Sequence, residues 1–140
     1  MKTPLDSILV ENAKNDLIIF TNTLNDNKIN SYEKKGIKII HIEKNNKGYL
    51  KIDDILSFLN KMNINRLLIE GGSTLSSSFL DKNKVNLVYW FSSQTDLNSG
   101  KSLNKYDKKL NNLRNSQNFL LKDSINLRDN KLEIFSFRKD

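Results

Sequence analysis

Glu70-Gly71-Gly72-Ser73-Thr74, running on into Leu75-Ser76-Ser77-Ser78-Phe79-Leu80, is the stretch of this 140-residue chain whose residue types and spacing could do chemistry. Arg66-Leu67-Leu68-Ile69 before it reads as a short apolar strand that ends in the Glu70 carboxylate. Two glycines let a backbone turn sharply and approach a ligand closely, and Ser73 or Thr74 can cap the helix that Leu75, Phe79 and Leu80 would anchor to a core. The first amides of such a helix lack carbonyl partners and sit at the positive end of its dipole, so a phosphate is their natural occupant. The hydroxyls of Ser76, Ser77 and Ser78 could add donors. The same strand, glycine pair and serine also make an ordinary connector, and both readings stand on these residues alone.

Other candidates are weaker. Asp53 and Asp54 could form an acid/base pair, yet they fall in the first turn of an amphipathic helix, where negative charge complements the dipole. His41, between Ile40 and Ile42, reads as a non-catalytic strand residue. The chain has no Cys and one His, which excludes disulfides and cysteine-ligated metals and puts a histidine-rich metal site and a Ser-His-Asp triad at the bottom of the list. No metal is expected.

The formal charge of +7 could attract nucleic acid, but 23 Lys and Arg are spread along the chain, and 21 Asn with abundant Lys and Ile match the bias of an AT-rich genome. A nucleic-acid partner is therefore not expected. No apolar run approaches the ~20 residues of a membrane span, and Met1-Lys2-Thr3-Pro4-Leu5-Asp6 is unlike a signal peptide. The expectation is a cytoplasmic protein with no membrane partner.

One domain is expected, residues 1–140. Leu17-Ile18-Ile19-Phe20 and Ile37-Lys38-Ile39-Ile40-His41-Ile42 read as strands, the first buried on both faces, with a short helix at residues 31–35 ended by Gly36. Ile52, Ile55, Leu56, Leu59 and Met62 form a helical stripe. Val85-Asn86-Leu87-Val88-Tyr89-Trp90-Phe91 is a long strand, and Asn98-Ser99-Gly100 a turn. Phe119-Leu120-Leu121 and Ile125-Asn126-Leu127 lead through Arg128-Asp129-Asn130 to a closing strand at residues 132–137, as an antiparallel hairpin. The order predicts an α/β fold with a mostly parallel sheet and an antiparallel C-terminal edge.

Leu68-Ile69-Glu70-Gly71-Gly72-Ser73-Thr74-Leu75, followed by Phe79-Leu80 and the strand from Val85, resembles the C-terminal reductase domain of the bifunctional riboflavin-biosynthesis deaminase/reductase. Thr3-Pro4-Leu5-Asp6-Ser7, the strand ending at Thr21, and Gly36-Ile37-Lys38-Ile39 extend the likeness over nearly the whole chain. The resemblance implies a dihydrofolate-reductase-like three-layer fold and an NADPH-dependent reductase. The reaction it implies reduces the ribosyl group of 5-amino-6-(5-phosphoribosylamino)uracil to the ribitylamino form.

By position, the resemblance implies that Glu70 contacts this phosphorylated aminopyrimidine substrate. It further implies that Thr21, Gly71, Gly72, Ser73, Thr74, Leu75, Ser76, Ser77 and Ser78 hold NADPH. No catalytic residue is singled out, because the cofactor carries a hydride transfer and the site aligns the reactants.

The sequence also departs from the family. The family's first strand and Ser-Leu-Asp-Gly-type loop have no counterpart after Met1, so the chain reads as a partial reductase domain. Asn86-Leu87 stand where the family usually has Asp-Glu, and its Pro after the strand is replaced within Ser92-Ser93-Gln94. A homodimer, or a partner supplying the missing segment, is expected, with the strands around residues 85–91 as the dimer contact implied by the resemblance. The alternative is a truncated, non-catalytic remnant, or a phosphate- or nucleotide-binding module of the same fold.

Overall fold

Two β-branched runs pair in parallel to organise the first part of the molecule. The computed structural model describes residues 3–13, 16–70, 72–93 and 112–138, in two compact units, Met1–Leu67 and Leu68–Asp140.

In the first unit a short helix α1 (Ile8–Glu11) precedes strand β1 (Ile18–Thr21), helix α2 (Asp26–Glu33), strand β2 (Lys38–His41) and helix α3 (Ile52–Lys61). β1 and β2 run parallel with Ile18 opposite Lys38 and Thr21 opposite His41. Parallel neighbours need a crossover, and α2 supplies it. Asn25 caps α2 by accepting from the Lys28 amide at 3.0 Å. At its other end Gly36 takes φ +78°, and the Ile37 amide returns to the Tyr32 carbonyl at 3.2 Å. That closure brings Tyr32 and Ile37 together with Val10, all fully buried, and Leu5, Ala13, Leu17, Ile19 and Ile39 pack against them.

The opposite face of β1 meets α3, since successive strand residues point to opposite faces. Phe20 stands edge-on to Phe58 with ring centroids 5.7 Å apart, and the Lys38 ammonium lies 5.3 Å from the Phe58 ring. β1 is thus covered on both faces, with Ile18, Ile19 and Phe20 half-buried. In α3, Ile52 and Leu59 are buried and Asp53 and Asp54 occupy the exposed first turn, as the apolar stripe predicts. α2 is longer than the helix expected at residues 31–35.

The second unit holds helix α4 (Ser73–Asp81), strand β3 (Leu87–Ser93), a 3₁₀ turn (Leu113–Asn115), and strands β4 (Phe119–Leu127) and β5 (Asn130–Phe137). The strands form an antiparallel sheet in the order β3-β5-β4. The expected hairpin forms: Leu127 pairs with Asn130, and Arg128 turns the chain with φ +53°. Its two apolar pieces are one strand, β4, carrying a bulge between Leu121 and Asp123. Leu113, Phe119 and Phe135 form the core, with Leu80, Val85, Val88, Trp90 and Phe137 packed on it.

Three expectations are corrected. Residues 66–70 are not a strand: they join no ladder among the described residues, and Leu68 is 75% exposed. An apolar run becomes a strand only where a neighbour offers backbone partners. The described residues carry one parallel and two antiparallel pairings in two sheets, so the parallel part is smaller than expected. His41 ends β2, exposed, rather than lying mid-strand. The turn expected at Asn98-Ser99-Gly100 lies outside the described residues.

Candidate functional site

The start of α4 is built from backbone. Gly72 occupies the N-cap with φ −59° and ψ 169°, and no side chain caps the helix. Neither Ser73 nor Thr74 is the cap that the sequence suggested. The reason is register: the helix begins at Ser73, so both residues fall inside it. The Gly72 carbonyl accepts from the amides of Leu75 at 3.0 Å and Ser76 at 3.2 Å, which closes the first turn. The helix itself offers no carbonyl to the amides before them.

A Cβ built on Gly72 meets nothing within 4 Å. Open ground therefore lies beside the backbone that leads into the helix. Gly72 is exposed, as are Thr74 and Leu75, so this end of α4 faces solvent. Leu75 is 45% exposed and does not anchor the helix; Phe79, buried, and Leu80, packed on the core, do so.

The serines divide by position. Ser78 donates its Oγ hydrogen to the Thr74 carbonyl at 2.8 Å, a bond within the helix. Ser77 is buried, and its Oγ has no hydrogen-bond partner. A buried hydroxyl without a partner is rare and costly, and a bound ligand or water is one way of satisfying it. Four residues separate Ser77 from Ser73, so Ser77 lies one turn further along the same side of the helix. Glu70, the residue assigned to substrate, is exposed, and Gly71 lies outside the described residues.

A dipole's positive end that no side chain caps, open space at Gly72 and an orphaned hydroxyl one turn in suit a phosphate group. These residues fit the anionic part of a dinucleotide cofactor.

In the first unit, Thr21 sits at the carboxyl end of β1, buried, with its Oγ1 accepting from the Thr23 amide at 3.1 Å. Its cross-strand neighbour is His41. Carboxyl ends of parallel strands are where open α/β sheets receive ligands. Close by, Lys51 and Glu43 form an ion pair at 2.5 Å, which holds the Glu43 carboxyl below and the Lys51 ammonium above their ordinary ranges, through a hydrogen bond first and charge second. Among the described residues no group of three or more His, Cys, Asp or Glu could hold a metal ion.

The family model of the RibD C-terminal domain matches residues 1–93. The chain belongs to this family. The chain is similar to the riboflavin biosynthesis protein RibD of Actinobacillus pleuropneumoniae, at 34% identity over 92 residues, which cover 65% of this chain and 24% of that protein. The chain thus spans about a quarter of that relative's length. Among solved structures it is similar to a pyrimidine reductase-like protein of Corynebacterium diphtheriae, with a TM-score of 0.71 and 13% identity, over 99% of this chain and 58% of that one. That likeness is one of fold. The RibD match takes in both Thr21 and the Gly72 turn. Periodicity could not have found the orphaned Ser77, since its burial depends on what packs against α4.

Proposed function

We propose that this RibD-family chain is an NADPH-dependent oxidoreductase. Its reaction reduces the ribosyl group of 5-amino-6-(5-phosphoribosylamino)uracil to the ribitylamino form, a step of riboflavin biosynthesis. The family match supports the reaction class, and the uncapped start of α4 behind Gly72 is the observation that carries the cofactor reading.

Residues 72–78 hold the NADPH phosphates, with Gly71 beside them. The positive end of the α4 dipole faces the negative charge, and Gly72 allows the close approach that any larger side chain would block. Thr21, at the carboxyl end of β1, lies near the cofactor, and Glu70 contacts substrate. The bound nicotinamide supplies the hydride. The protein's part is to hold and orient, which suits a chain with a single His.

Residues 1–140 act as one reductase domain of dihydrofolate-reductase-like, three-layer type, working in the cytoplasm. Its partner is a second copy of the chain or a chain that completes the domain. Leu87, Tyr89 and Phe91 alternate along β3 as exposed residues and share a face with Ile125 and Leu127, also exposed. An apolar face of this kind marks a protein contact. A Phe91→Lys variant should dissociate the dimer by light scattering; a protein that is monomeric before the substitution refutes the contact.

Calorimetric titration of NADPH, with NADH alongside, tests the cofactor reading on protein whose fold is verified by circular dichroism. Saturable NADPH binding that disappears in Gly72→Val supports it, and unchanged affinity in the folded variant refutes the cradle. Binding without turnover of the aminopyrimidine would make the chain a nucleotide-binding module.

A further inference from the structure

The antiparallel registers gather polar side chains at one end of the sheet face that elsewhere carries the second unit's core. Val88, Phe135 and Leu121 stand opposite one another in one row; the next row along is Trp90, Glu133 and Ser124, and the one after it Ser92, Lys131 and Asn126. The three rows share a face because successive rows are two residues apart on β3 and β5, and on β4 the bulge between Leu121 and Asp123 absorbs the one extra residue before Ser124. The face therefore changes from apolar to polar within two rows.

Glu133 is 3% exposed, which is unusual for a carboxylate, and two cations reach it. Arg114, from the 3₁₀ turn, donates to Glu133 Oε2, and the Lys131 ammonium lies 3.4 Å from Oε1. One buried negative charge thus faces two positive ones. The cationic ends remain accessible, with the Arg114 side chain 60% and the Lys131 side chain 41% exposed. A guanidinium has five N–H donors and an ammonium three, so both retain donors beyond the Glu133 contact. A carboxylate that fixes an arginine on one side leaves the other side oriented for a second anion.

We propose that Arg114 and Lys131, held by Glu133, form an anion site for inorganic phosphate or a phosphate monoester, flanked by the Ser124 hydroxyl, the Asn126 amide and the Trp90 ring. The excess of one positive charge in the cluster matches a single anionic group, and the neighbouring hydroxyl and amide offer further donors. This site shares no residue with the Gly72 turn and does not depend on the NADPH reading.

The test is a titration of the ¹⁵N-labelled full chain with inorganic phosphate, against sodium chloride at matched ionic strength, followed by NMR. Saturable shifts at the Arg114 Nε–H and the amides of Ser124, Asn126, Lys131 and Glu133 are expected with phosphate only. Lys131→Gln, which leaves the Arg114–Glu133 pair intact, should weaken this binding at least tenfold, and Gly72→Val should leave it unchanged. Phosphate shifts confined to residues 72–78 would support the α4 cradle and overturn this site. Equal shifts with chloride, or unaltered phosphate affinity in folded Lys131→Gln, would show that the cluster is an ion-pair tie between the turn and β5 and overturn the proposal.

Discussion

Arg114 reaches from the 3₁₀ turn to donate to Glu133 on β5, joining a half-exposed guanidinium to a carboxylate at the edge of the core formed by Leu113, Phe119 and Phe135. The hydrogen bond from Arg114 is the largest influence holding the Glu133 carboxyl below its ordinary range. Burial opposes it, and the Lys131 charge assists. The folded state therefore binds this proton less readily than the unfolded chain does. The stabilisation is fully present above the unfolded carboxyl's ordinary value and is lost as pH falls through the lowered folded value. Denaturation midpoints measured across the acid range should decline there, and Glu133→Gln should flatten that decline. Arg114→Met should destabilise more than Lys131→Met, because it removes the nearer partner of a buried charge.

Ser77→Ala removes a buried hydroxyl that makes no hydrogen bond. In the absence of ligand the variant should be more stable, by about 1 kcal/mol, since the desolvation cost of the orphaned group disappears. NADPH affinity should fall in the same variant. Urea denaturation and calorimetry read the two effects separately, and a loss of stability without ligand would show that the hydroxyl has a partner.

Arg128 holds φ +53° in the two-residue turn between β4 and β5. A side chain in that region costs roughly 1–2 kcal/mol, which glycine avoids. Arg128→Gly should therefore raise the denaturation midpoint, net of glycine's greater unfolded-state entropy, by less than that amount. A lowered midpoint would mean that the arginine contributes a contact outweighing its backbone strain.

Leu68 and Phe135 differ in exposure, 75% against 2%. Phe135→Ala should cost about 3–5 kcal/mol of stability, as for other core aromatics, and Leu68→Ala less than about 0.5 kcal/mol. Equal costs in chemical denaturation would place residues 66–70 in a packed strand after all.

Much of this protein was legible in local pattern. The stripe from Ile52 to Leu59, the β-branched run of β2, the Gly36 turn and the hairpin at Arg128 each follow from residues within a few positions of one another. Local sterics and periodicity decide such elements. The serine-rich helix that begins after Gly72 was visible in the same way, and so was the family likeness.

What needed tertiary structure depends on residues distant in sequence. Leu67 and Leu68 have the composition of a strand, but a ladder requires a partner's backbone, and the structure shows none for them among the described residues. Ser73 and Thr74 have the chemistry of caps, but the helix begins at Ser73, so the N-cap falls one residue earlier, at Gly72. Glu133 alternates along β5 like any polar strand residue. Its burial and its hold on Arg114, nineteen positions away, were decided by the packing of the 3₁₀ turn near that sheet face and by the pairing of β3 and β4 on either side of β5. The sequence by itself determined helix α3, strands β1 and β2, the closing hairpin and the family, because short-range sterics and solvent preference act residue by residue. Only the tertiary structure decided which hydroxyl is orphaned and which charges meet, because those follow from contacts between segments that no local pattern records.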